Sequence, residues 1–201
     1  MTSTASDDGG RVGSAHGIVA AASAVVGFHL AALVAFALSR TYGDVAALWP
    51  ATALAAVTIR RNPGVSLPWT FVGLWIAAFA AVAGFGTRFD LAAVLALTDV
   101  FEVAVALFGL HWLDERRLDR STTVFLGALA IVGVLAPLFG ASAGAGAVSW
   151  FLDTDFWTVW KTWWTGNLFG AALVMPIAAS LTRRRLAALW CDRALAEATL
   201  V

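Results

Sequence analysis

The sequence predicts an all-α protein, a polytopic transmembrane helix bundle of about six spans with both termini cytoplasmic. Three observations predict it. Of 201 residues 60% are hydrophobic and 13% charged, and the mean hydropathy is +0.81, against roughly 45–50% apolar and about 25% charged in soluble domains. Apolar runs long enough to cross about 30 Å of hydrocarbon, which takes about 20 residues, recur along the chain. Arginines fall almost entirely in alternate connections.

Taken in order, the predicted spans are Gly17 to Ser39, Val45 to Ile59, Leu67 to Phe85, Leu91 to Leu113, Ser121 to Val148 and Trp157 to Leu181. The second is short and crosses only if it tilts little, begins near Gly43 or sits in thin bilayer. The first, 23 residues long, exceeds the 7–15 residue apolar core of a signal peptide and reads as a retained helix. Residues 1–16 read as a disordered cytoplasmic tail, 17–181 as the transmembrane domain and 182–201 as a cytoplasmic tail. In that tail Leu186, Leu189, Trp190, Ala194 and Ala198 keep helical spacing, so a short amphipathic helix is expected. The tail is too short for a catalytic domain.

Cytoplasmic flanks retain positive charge. Arg11, Arg60, Arg61, Arg116, Arg117, Arg120, Arg183, Arg184, Arg185 and Arg193 share one predicted side, while only Arg40 and Arg88 fall on the other. Thirteen basic residues balance thirteen acidic ones, and no basic stripe marks a nucleic-acid partner. The expected surroundings are the lipid bilayer. The single cysteine, Cys191, excludes an intrachain disulfide. His16, His29 and His111 lack metal-ligand spacing, and His29 is expected to bond a neighbouring helix. No nucleophile motif, phosphate loop or dinucleotide fingerprint occurs, so neither an enzyme nor a cofactor is expected.

Charged groups at membrane depth are costly and ask for a partner or a purpose. Asp99 and Glu102, three residues apart, share one helical face. Such a pair can coordinate a cation, share a proton, bind a cationic ligand, or simply tie helices together. Lys161 either snorkels to the outer interface or reaches Asp99. Asn167 is expected to hydrogen-bond across helices. Trp150, Trp157, Trp160, Trp163 and Trp164 put five tryptophans within fifteen residues, an interfacial belt or the wall of an outward-facing pocket. Trp157, Trp160 and Trp164 share a face. Pro50, beside Trp49, is read as a kink in the second span, and Pro137 and Pro176 as bends further on. The GASAGAG run at Gly140 to Gly146 lacks the lysine of a phosphate loop and reads as flexible or closely packed.

LWPATALAAV at Leu48 to Val57, TDVFEVAVALFGL at Thr98 to Leu110 and WTVWKTWWTGNLFGAALVMPI at Trp157 to Ile177 together resemble the membrane-associated sensor domain family, MASE, of the first-described type. The resemblance implies Trp49 and Pro50, Asp99 and Glu102, and Trp160, Trp164 and Asn167 as pocket residues, to which Lys161 is added from its position, with Gly170 and Pro176 structural. Asp99 stands where the family usually has Asn, and Asn167 where it usually has Asp. That exchange implies that the two positions meet. Ala53 replaces a common glycine. Family members usually have about eight spans and an output domain, so a truncated or free-standing sensor is implied here. The implied function is a bacterial inner-membrane, multi-pass signal-input module of two-component or cyclic-di-GMP signalling. It would detect a stimulus through the pocket and act on a histidine kinase or diguanylate cyclase, alone or as a homo-oligomer. The alternative is a small transporter or channel subunit whose carboxylates bind a cation or proton.

Overall fold

The computed structural model describes residues 8–39, 46–116 and 121–180, and every regular element among them is helical. In chain order these are α1 (Asp8–Ser39), α2 (Ala51–Arg60), α3 (Leu67–Gly84), α4 (Phe89–Glu115), α5 (Ser121–Ala130), a π segment (Ile131–Leu135), α6 (Ala136–Leu152) and α7 (Phe156–Ser180). α5, the π segment and α6 run without a break, so the described residues form six rods. Four stretches are long and apolar enough to cross a membrane: Ala15–Leu38, Leu67–Gly84, Phe89–Glu115 and Thr122–Leu152. α7 has the length, but Lys161, Asn167 and a run of threonine and tryptophan dilute its hydropathy. The amphipathic stretch predicted at 182–201, with Cys191, lies outside the described residues.

The expectation of a helix over Val45 to Ile59 is corrected. Residues 46–50 are not helical, and α2 begins at Ala51 with Pro50 as its N-cap. Proline lacks an N–H and disfavours helical conformation in the residue before it, so Pro50 starts the helix and does not kink it. Ten helical residues span about 15 Å at 1.5 Å each. That is about half the thickness of a bilayer core, and the non-helical residues before them lengthen the rod. α1, by contrast, begins at Asp8, well ahead of Gly17, since extending an existing helix adds one hydrogen bond per residue fixed.

Small residues let the rods approach closely. Ala24, Ala32, Ala55, Ala56, Ala78, Ala92, Ala96, Ala141 and Ala145 are fully buried. Large apolar side chains such as Ile18, Leu38, Trp69, Phe108 and Trp150 point outward, the inverse of a soluble protein and the pattern that lipid requires. His29 on α1 makes its predicted interhelical bond, Nδ1 to Ala77 O on α3 at 2.9 Å. The π segment lies just before Pro137, and the Ala136 N–H reaches back to Ile131 O. A proline that cannot donate is accommodated by that widened turn.

The two ends of the bundle differ. At one end Arg60 pairs with Asp114, Arg61 donates to Ala178 O near the end of α7, and Gly17 of α1 packs on Gly64. At the other, Arg88 pairs with Asp90 at 2.6 Å and its guanidinium stands 5.7 Å from the Phe151 ring.

Candidate functional site

Two features bring the second, fourth and last rods together. The first is the non-helical segment before α2. Non-helical backbone at membrane depth must be covered by protein, and here the Trp49 N–H donates to Gly166 O of α7 at 2.9 Å. A Cβ on Gly166 would meet Ala46 O at 2.9 Å, and one on Gly170 would strike the backbone of Trp49 and Pro50. The GNLFG stretch of α7 is therefore a seat for the chain, with glycine required at both edges.

The second feature is a face of α6. Gly140 and Gly144, one turn apart, leave room for the Glu102 carboxylate and the Trp163 ring respectively. The glycine-rich run is thus close packing. Glu102 is fully buried, its Oε2 accepts from Trp163 Nε1 at 3.2 Å, and the Thr52 hydroxyl of α2 approaches it. Glu102 Oε1 and Thr52 Oγ1 have no hydrogen-bond partner. The approach of the threonine is looser than a hydrogen bond.

Asp99 is 3% exposed and lines a central cavity of about 20 Å³. Asn167 faces the same cavity, with Trp49, Trp163 and Phe36 as aromatic walls and Ala46, Val82 and Leu95 completing it. The Trp49 ring is edge-on to Phe28 and Phe36, at 6.2 and 5.3 Å between centroids, and its indole is directed to Asp99. Asn167 Nδ2 donates to Trp163 O at 3.3 Å. Asp99 Oδ1 and Trp49 Nε1 are left without hydrogen-bond partners. Ion pairs among the described residues lie at the bundle ends.

Trp49, Asp99 and Asn167 thus share one cavity, with Glu102 beside it behind Trp163. Pro50 caps α2 next to Trp49, and Gly170 supports both. Trp160, Trp164 and Lys161 stand elsewhere. Trp160 and Trp164 stack on each other at 5.8 Å and 12° and face the preceding rod, Trp160 donating to Ser142 Oγ at 3.2 Å and Trp164 to Val134 O at 3.3 Å. Lys161 is exposed, and its charge acts on Asp155 before α7. Pro176 lies further along α7, toward the Arg61 end. Trp163 was read only as one of the five clustered tryptophans, and Thr52 and the glycines facing them were not among the predicted site residues. The sequence carried one signal for Trp163, its spacing of four from Asn167, which puts both on one helical face.

Comparison with known proteins adds one match: the MASE1 family model covers residues 20–200. The chain belongs to the MASE1 family. MASE1 is a membrane sensory input domain, so the four long apolar rods of this MASE1 chain belong in a membrane. No curated protein and no solved structure matches it.

Proposed function

We propose that this MASE1 chain is a bacterial inner-membrane signal-input module that crosses the bilayer six times with both termini cytoplasmic. The cavity between Trp49, Asp99 and Asn167 receives the stimulus from the outer side, and α7 passes it to a cytoplasmic histidine kinase or diguanylate cyclase. The arginine bias supports the orientation, since the end carrying Arg60, Arg61 and Arg116 is then cytoplasmic. Buried ionisable residues at membrane depth support a functional cavity.

One observation carries the reading. α2 and its leading segment are fastened to α7 twice, by Trp49 N–H to Gly166 O beside the cavity and by Arg61 to Ala178 O at the far end. Any change at Trp49 or Asp99 that shifts this segment therefore bears on the end of α7. A stimulus acts only through differential affinity for two arrangements, and helix shifts of about 1–2 Å suffice for such switches.

Spin labels at Asn62 and Ala179, in a Cys191→Ser background, report the spacing of the two ends. Asp99→Asn is expected to change the distance distribution. An unchanged distribution, together with labelled-ion uptake into proteoliposomes that Asp99→Asn and Glu102→Gln abolish, would replace the sensor with a transporter.

A further inference from the structure

We infer that the cavity is a binding site for one monovalent inorganic cation of water size, sodium, potassium or ammonium, held by Asp99 opposite Asn167. The inference rests on reading this cavity as the stimulus site and names the chemistry of its occupant.

Size comes first. A space of about 20 Å³ suits one water-sized body, which needs about 10–15 Å³ on this measure. Pockets for organic ligands run to about 300 Å³ and above, so such a ligand enters only if the helices part.

Charge narrows the choice. Asp99 is nine-tenths buried and more, its Oδ1 faces no hydrogen-bond partner, and the residue lines the cavity. A buried carboxylate is either paired with positive charge or neutralised by a proton, and the cavity beside Asp99 has room for a cation. The described arginines with ion pairs are engaged with Asp114 and Asp90 at the bundle ends, and Lys161 is exposed. The low polarity of Phe36, Trp49 and Trp163 around the space strengthens attraction to a cation that enters.

Coordination settles the valence. Asn167 commits its amide nitrogen to Trp163 O, which turns its oxygen, a pure acceptor, to the remaining side. The non-helical segment brings Ala46 to the wall. Glu102 does not line the cavity, because Trp163 holds it on the far side. One carboxylate with neutral oxygens suits a single positive charge. Among the described residues no group of three acids, histidines or cysteines gathers to hold a divalent metal.

The test uses the full chain in detergent at fixed pH and ionic strength, with sodium, potassium or ammonium chloride replacing N-methylglucamine chloride. Thermal unfolding and tryptophan fluorescence are read together. Wild type is expected to show a saturable rise in Tm with at least one of these cations. Asp99→Asn should weaken the response at least about tenfold, the loss expected when a buried charge loses its partner. Asp99→Asn combined with Asn167→Asp, which carries the carboxylate to the facing wall, should restore it. If Asp99→Asn does not fold, Asn167→Leu serves, with a weakened response expected. A wild type indifferent to all three cations, an equal response in Asp99→Asn, or a Tm that follows pH alone, meaning that a proton neutralises Asp99, would each overturn the inference. Cations that bind yet leave the Asn62 to Ala179 distance unchanged would uphold the site and refute the sensory reading. A distance that responds to Asp99→Asn in a cation-insensitive protein would do the opposite.

Discussion

Replacing Gly170 by alanine adds one methyl group to α7, and its effect follows from what that methyl meets. The obstacles are the carbonyl of Trp49 and the amide nitrogen of Pro50, main-chain atoms that cannot swing aside as a side-chain tip would. The segment must lift off α7. Overpacking of this kind costs about 1–3 kcal/mol, and losing the Trp49 N–H to Gly166 O bond adds about 1 kcal/mol. Alanine recovers about 0.5–1 kcal/mol by stiffening the helix. The net loss is about 1–3.5 kcal/mol, which at about 2–4 °C per kcal/mol for a chain of this size lowers the midpoint by about 2–14 °C. Gly146→Ala is the control, because a Cβ there meets nothing within 4 Å and should raise stability by about 0.5–1 kcal/mol. Thermal unfolding of both variants in one detergent decides the matter. A Gly170→Ala protein as stable as Gly146→Ala would mean that the non-helical segment is not seated on α7, and the shared cavity would lose its geometric basis.

Trp163→Phe keeps the ring in the groove at Gly144 but removes the donor to Glu102 Oε2; leaving that buried carboxyl unsatisfied should cost about 1–3 kcal/mol, and an unchanged Tm would show that the bond contributes nothing. Asp155 caps α7, its carboxylate accepting from the Thr158 hydroxyl and N–H, both at 2.7 Å. These bonds, the hydroxyl's first, hold its pKa below the ordinary 3.8. A lowered folded pKa gives stability that is present above the unfolded value and lost as pH falls through the folded one. Asp155→Ala, or acidification below pH 3.8, should therefore speed hydrogen exchange at Trp157 to Val159, with Asp155→Asn closer to wild type.

The helical character of the chain and most rod boundaries were legible because they depend on length and composition, which lipid constrains strongly. Helix rotation was harder to read. In an all-round apolar sequence the lipid-facing and core-facing residues are both hydrophobic, so periodicity carries little signal. Polar residues are the exceptions, and they orient the helix that holds them. Asn167 marks the buried face of α7, and Trp163, Gly166 and Gly170 at spacings of four, one and three form that face around it. Lys161, six residues away, lies about 240° round the helix from Asn167 at 100° per residue, which is why it is exposed and does not join Asp99 at the cavity. Grouping the tryptophans by their own spacing selected Trp157, Trp160 and Trp164, of which Trp160 and Trp164 bond the preceding rod and Trp157 is exposed. Grouping them by distance from Asn167 selects Trp163.

Pro50 shows the same principle at the level of backbone. In a soluble protein a proline at the head of a short apolar run reads readily as a helix start; here the length needed to cross a membrane argued for extending the helix back through it to Val45. The protein satisfies both demands. It leaves residues 46–50 non-helical, covers that backbone with α7, and spends two glycines, Gly166 and Gly170, to let the chains touch. The same arrangement carries the Trp49 side chain into the bundle beside Asp99 and Asn167. A continuous helix through Pro50 would turn the Trp49 N–H back toward the preceding turn and away from Gly166 O, which it now meets. The unwound segment is therefore the element that joins a structural economy of length to the formation of the polar cavity.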